Sequence, residues 1–150
     1  MYIREINSPE EAPLSLLLVA DPSEKAVHDY INRGMCFVLE EEEDIRGVFV
    51  LLPTRPHIIE LVNITVEETY QNKGLGKFML KEAVNIARLK GYKTMEIGTG
   101  NSSIGQLALY QKCGFRIIGI DGDFFIKHYD EDIYENGIRC RDMIRLSQDL

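Results

Sequence analysis

Gln71-Asn72-Lys73-Gly74-Leu75-Gly76-Lys77 lies between a strand-like run, His57–Val66, and the most regular amphipathic stretch of the chain, Gly74–Lys90. Along that stretch Leu75, Met79, Ala83, Ile86 and Leu89 recur at helical spacing. Phe78, Leu80, Val84 and Ala87 widen the apolar stripe, and Gly91 stands where a glycine closes a helix. The first turn of a helix presents backbone N–H groups without intrahelical partners and carries the positive end of the macrodipole. Glycines there allow a phosphate to approach the main chain, and Lys73 and Lys77 add positive charge. The stretch therefore predicts a diphosphate cradle. It is not a Walker A loop, because Gln71 stands where the first glycine belongs and Phe78 follows Gly76-Lys77. Nor is it a dinucleotide fingerprint, because Met79 occupies the position of the third small residue.

Working outward, Lys93–Gly98 reads as the next strand, so strand, helix and strand predict a βαβ crossover with parallel pairing. A helix at about Ser103–Cys113 follows, then Gly114 and a strand at Phe115–Ile120. Asp121–Gly137 is acidic and aromatic and predicts a loop with little regular structure, before a last strand at Ile138–Leu146. Upstream, Met1–Ile6 alternates as a strand does, with Tyr2, Arg4 and Ile6 on one side. Ser8 and Pro9 open a helix expected to run to Ala20, and Ser23 caps a second one that ends at Gly34. Met35–Glu40 and Ile45–Leu52 flank the turn-like Glu41–Asp44 as an antiparallel hairpin, with the acid run Glu40–Asp44 expected in solvent.

The pattern QxxGxG at a helix start resembles the signature of the GCN5-related N-acetyltransferase (GNAT) superfamily. The segment Ala108-Leu109-Tyr110-Gln111-Lys112-Cys113-Gly114-Phe115 is similar to the family's second signature, LYxKxGF. The two occur in the family's order and spacing. The resemblance covers His57–Phe115 well and Met1–Pro56 loosely, and it does not securely extend over Asp121–Leu150. It implies a mixed α/β fold in one domain spanning residues 1–150. That fold has a central, mostly antiparallel sheet, one βαβ crossover and flanking helices. It also implies acetyl-CoA as co-substrate and direct transfer of the acetyl group to an amine.

Carried over by position, Ile64, Thr65 and Val66 would offer backbone groups to the pantetheine arm. Gln71, Asn72, Lys73, Gly74, Leu75, Gly76 and Lys77 would hold the diphosphate. Asn101 would face the arm, although a loop or cap residue reads equally well there. An alkylamine with a pKa near ~10 must lose a proton before it attacks a thioester. Glu60, eleven positions before Gln71, resembles the base of histone-type relatives, and a charge among Ile58, Ile59, Leu61 and Val62 calls for a use or a partner. Tyr110 matches the tyrosine of the second signature and would protonate the leaving sulfur. Cys113 has no activating base nearby and reads as packing.

Composition bounds the rest. The chain has 150 residues, 45% hydrophobic and 27% charged, with net charge −7. An acidic chain argues against general nucleic-acid binding and suits a cationic acceptor. Its apolar runs are too short to cross a bilayer, the N-terminus does not read as a signal peptide, and the cytosol is the expected compartment. Cys36, Cys113 and Cys140 show no CxxC spacing and are expected as free thiols, and no metal site is expected. The tail acids Asp121, Asp123, Asp130, Glu131 and Asp132 would attract a small basic acceptor, with Phe124, Phe125, Tyr129 and Tyr134 as walls, and a solvated acidic loop reads equally well there. A protein amine and a non-catalytic acyl-CoA module are the alternatives, and the family leaves a homodimer open.

Overall fold

The computed structural model describes residues 1–150. Strands β1 (Tyr2–Glu5), β2 (Met35–Glu41), β3 (Asp44–Arg55), β4 (Ile58–Val66), β5 (Thr94–Gly100), β6 (Arg116–Asp121) and β9 (Met143–Asp149) form one seven-stranded sheet. Its spatial order is β1-β2-β3-β4-β5-β9-β6. All neighbours pair antiparallel except β4 and β5, which run parallel around the crossover helix α3 (Leu75–Leu89). The mixed sheet and the βαβ unit follow the sequence reading.

Helices α1 (Leu14–Ala20) and α2 (Glu24–Arg33) cover one face of the sheet, where Leu17, Val27 and Ile31 pack on Val38, Val48 and Val50. The other face is covered by α3, whose Met79, Leu80, Ala83, Val84 and Ala87 are buried against Phe49, Leu51, Ile59 and Leu61. Leu89 and Phe78, which the periodicity placed on the stripe, are exposed at 79% and 42%.

Several boundaries differ from the sequence expectation. The helix expected from Pro9 to Ala20 is broken: a single 3-10 turn spans Pro9–Glu11, and α1 starts at Leu14. Pro13 forces Ala12 into extended backbone and ends the first turn. Ser8 makes no side-chain cap, whereas the Ser23 hydroxyl does accept the Ala26 N–H at 3.2 Å. In the first hairpin only Glu42 and Glu43, both in the left-handed region, make the turn. Glu40 is not in solvent: it lies in β2, 8% exposed, with its carboxylate bound by Arg4 at 2.7 Å and by the Tyr2 hydroxyl.

The largest departures lie in the tail. Asp121–Gly137 is not structureless: α5 (Phe124–His128) and β7 (Tyr134–Glu135) form within it, and β7 pairs with β8 (Ile138–Arg139). The last strand begins at Met143, not Ile138, and inserts between β5 and β6. Asn101 explains the shift. Its side-chain oxygen accepts the N–H groups of Arg141 (2.8 Å) and Asp142 (3.0 Å), and its amide donates to the Arg139 carbonyl (3.2 Å). Those main-chain groups are thereby taken out of any ladder, and Cys140–Asp142 becomes a connector. No helix is long and apolar enough to cross a membrane.

Candidate active site

The parallel ladder is short. Ile58–Leu61 pair with Thr94–Ile97, and beyond them Val62–Val66 and Gly98–Gly100 are not hydrogen-bonded to each other. A bulge falls at the same place, since Leu51 pairs with Leu61 while Val50 pairs with Asn63. The extra residue, Val62, bends the strand away from β5. Because a bulge also reverses the side-chain alternation, Asn63 and Thr65 turn toward α1 and α2, where Thr65 donates to Asn63 and Asn63 to the Tyr30 hydroxyl and the Leu17 carbonyl. Between the separated strands opens a cleft of about 760 Å³.

The loop before α3 closes one end of this cleft. Asn72 (φ 61°) and Gly74 (φ 82°) both adopt left-handed backbone, which turns successive amides to one side. From Asn72 to Lys77 no backbone N–H finds an acceptor in the chain, and the first helical bond is made by Phe78 to the Gly74 carbonyl. The Gln71 side chain ties the loop to the end of β4 by donating to the Val66 carbonyl at 3.0 Å. Gln71, Asn72, Gly74, Gly76 and Lys77 line the cleft; Lys73 instead lies over the Tyr70 ring, and Leu75 packs on the core. A row of free amides at a positive helix end can hold an anion.

The middle of the cleft is set by β4 and α4 (Ile104–Lys112). Ile64, Thr65 and Val66 line it from the strand, and Tyr110 reaches it from the helix. Tyr110 is 5% exposed and tilted against Phe115, yet its hydroxyl makes no hydrogen bond within the chain. Burial alone pushes its pKa up, so the phenol stays protonated and available as a donor.

The other end is built by α1, α2 and the tail. Asp21, just past α1, accepts the Tyr129 hydroxyl at 2.8 Å, the Tyr30 hydroxyl at 3.1 Å and the Ser23 N–H at 3.2 Å. Burial first, then Asp21, raises both tyrosines and keeps them neutral donors. Phe125 and Tyr129 supply aromatic wall. Glu135, on the β7–β8 hairpin, accepts the hydroxyls of Ser103 (2.8 Å) and Ser102 (3.4 Å).

The expected residues are thus only partly brought together. Asn101 does not line the cleft, because all of its side-chain groups are engaged with the tail. Glu60 is absent from the lining as well. It has the partner its burial calls for: Arg145 on β9 contacts both its oxygens, at 3.3 and 3.5 Å, and also approaches Glu96. Gly98 makes room for that arginine, since a Cβ there would lie 3.1 Å from its guanidinium and 2.6 Å from the Met143 sulfur. Of the tail acids, Asp123 and Asp132 are paired with Arg141 and Arg139, and none of those singled out lines the cleft. Phe124 and Tyr134 also lie outside it.

The sequence reading missed Asp21 and Glu135. A signal existed for Glu135: Asn136-Gly137, with φ of 55° and 73°, is the dipeptide of a tight two-residue hairpin turn. Nothing local marked Asp21, whose partners lie far along the chain.

Comparison with known proteins agrees with this geometry. Residues 3–115 match the model of the acetyltransferase (GNAT) family. The uncharacterized N-acetyltransferase YvbK of Bacillus subtilis strain 168 is 58% identical over 90% of this chain and 87% of its own length. A Bacillus subtilis acetyltransferase solved in complex with CoA superposes with a TM-score of 0.93 at 53% identity, covering 99% of this chain and 97% of that one. A GNAT family acetyltransferase from Elizabethkingia anophelis with acetyl-CoA bound superposes with a TM-score of 0.97 at 44% identity, covering 99% and 97%.

Proposed function

The chain belongs to the acetyltransferase (GNAT) family, and on that premise we propose that it moves an acetyl group from acetyl-CoA directly to a primary amine of a small molecule. The observation that carries this reading is the run of unpartnered amides from Asn72 to Lys77, at one end of a cleft whose middle holds a free tyrosine hydroxyl. In it, those amides and Lys77 hold the diphosphate, and the open edge of β4 at Ile64–Val66 pairs with the pantetheine arm as an added strand would. Backbone N–H groups on that edge stabilise the thioester oxygen as it gains charge. Tyr110 donates its proton to the sulfur as the thiolate leaves.

The acceptor end supports a small cationic substrate. It is walled by Phe125 and Tyr129, and the carboxylates facing it are Asp21 and Glu135. Asp21 accepts three hydrogen bonds across its two oxygens, and its carboxylate stands where it would attract an ammonium. Glu60 is held by Arg145 away from the lining, and Asn101 fixes the tail that forms the wall.

Two measurements test the proposal. Acetyl-CoA at about 100 times its Kd is expected to add ~2.7 kcal/mol to stability, read as a rise in melting temperature. Thiol release from acetyl-CoA, followed against amines from polyamines to peptides, is expected to favour small amines. Release only with peptides would move the acceptor to a protein amine, and stabilisation without any release would leave a cofactor-binding module.

A further inference from the structure

We propose that Glu135 is the general base of this cleft, the carboxylate that takes the acceptor's proton. The assignment rests on the acetyl-transfer reading above and goes beyond it by naming the residue.

Three glutamate and aspartate candidates stand near the separated strands, and their partners distinguish them. Glu60 has both oxygens turned to Arg145 and lies off the cleft lining. Asp21 lines the cleft but accepts three hydrogen bonds across its two oxygens. Glu135 lines the cleft, and both of its hydrogen bonds fall on one oxygen, Oε1, from the hydroxyls of Ser103 and Ser102. Its Oε2 has no partner in the chain and is not enclosed. One oxygen is therefore anchored and the other free, an arrangement that fixes a carboxylate while leaving it a lone pair for a substrate proton.

The anchor is rigid. Ser102 and Ser103 are 0% and 8% exposed and sit where β5 turns into α4, the helix that also carries Tyr110. The hairpin bearing Glu135 is pinned to the same turn by Asn136, whose amide donates to the Ser102 carbonyl at 2.8 Å. Gly100 has no side chain where the Cys140 sulfur crosses it, and that thiol, raised by burial, stays neutral beside Glu135. The other titratable groups of the cleft are Tyr110 and Tyr129, both neutral, Asp21 across the mouth and Lys77 at the cradle.

The step balances as follows. Glu135 Oε2 accepts one proton from the ammonium, and the freed amine nitrogen forms a bond to the thioester carbonyl carbon. The carbon–sulfur bond then breaks as Tyr110 protonates the sulfur. The second proton lost by nitrogen returns to the tyrosine oxygen, and the proton on Glu135 passes to solvent.

The test is Glu135→Gln, which keeps a carbonyl for the serine hydroxyls. With the best amine of the panel, kcat is expected to fall about 100-fold or more, while the melting shift given by acetyl-CoA stays at the wild-type value. The wild-type kcat/KM is expected to level off as pH rises. That of the variant should keep climbing with pH until the ammonium itself has lost its proton in solution. Glu135→Asp is expected to recover part of the rate, which a purely structural role would not give. A kcat within about threefold of wild type, or an unchanged pH profile, overturns the assignment while leaving the acetyl-transfer reading in place. A wild type that acetyl-CoA does not stabilise, or that releases no thiol with any amine, overturns the parent reading and this assignment with it.

Discussion

The cleft has two walls made by different means. The wall we propose for the cofactor, β4 and the loop into α3, is made of main chain: left-handed backbone at Asn72 and Gly74 and unpaired amides from Asn72 to Lys77. The wall we propose for the acceptor, from Asp21 across to Tyr129 and Glu135, is made of side chains joined over long stretches of sequence. A wall of amides tolerates most side-chain changes that do not enter the cradle, whereas a wall of paired side chains fails one bond at a time. Substitutions on the two walls should therefore separate cofactor binding from acceptor handling.

The largest effect is expected on the cofactor wall. A Cβ at Gly76 would meet only Leu109 at 3.8 Å and Val66 at 4.0 Å, ordinary contacts, so the fold accepts a side chain there. Gly76→Asp places a negative charge in the first turn of α3, which favours the helix by ~0.3–1 kcal/mol, but it also sets that charge against a diphosphate. Affinity for acetyl-CoA is expected to fall about 100-fold or more, consistent with repulsion of roughly 4 kcal/mol at close range. Calorimetric titration beside a melting curve checks it. Lost affinity with an unchanged or higher melting temperature upholds the comparison, and retained affinity breaks it.

Tyr110→Phe tests the point where the walls meet. The hydroxyl has no partner in the chain, so removing it should leave stability unchanged. The expected loss is about 10- to 100-fold in kcat, with the acetyl-CoA Kd within about twofold. Equal loss in both would make Tyr110 a packing residue.

On the acceptor wall, Tyr129→Phe removes the hydroxyl that joins the tail to Asp21. A hydrogen bond to a charged group contributes roughly 1.5–3 kcal/mol, and this one is partly exposed, so the lower figure is the better guide. The KM for the amine is expected to rise about five- to tenfold with that for acetyl-CoA unchanged, read from steady-state rates with each substrate varied in turn.

The same division governs what was legible in the sequence. The glycine loop, α3 and the crossover were readable because glycines and helical periodicity are local signals. The bulge at Val62 was not, since whether a strand residue is paired or bulged depends on its neighbour's register rather than its own type. The tail was read as a loop because what orders it is remote. Asn101 holds Arg141 and Asp142, and Asp21 holds Tyr129 from 108 positions away. Glu60 was singled out as a charge that needed a use or a partner, and the structure gives it a partner. The partner, Arg145, lies on a strand whose start the sequence put five residues too early.

Glu60→Gln should then have the smallest effect. Arg145 keeps a second carboxylate, Glu96 at 3.8 Å, so the loss of one charge does not strand the guanidinium. The three side chains are 21–27% exposed, and water screens such pairs to within about 1 kcal/mol. The expected change in kcat is less than about twofold across the pH range, with a fall of only a few degrees in melting temperature. Because Gln matches Glu in size and can still accept from Arg145, a large rate loss here could not be charged to packing. A loss near 100-fold, with the low-pH limb displaced, would place the proton acceptor on β4 and reduce the acceptor wall to substrate binding alone.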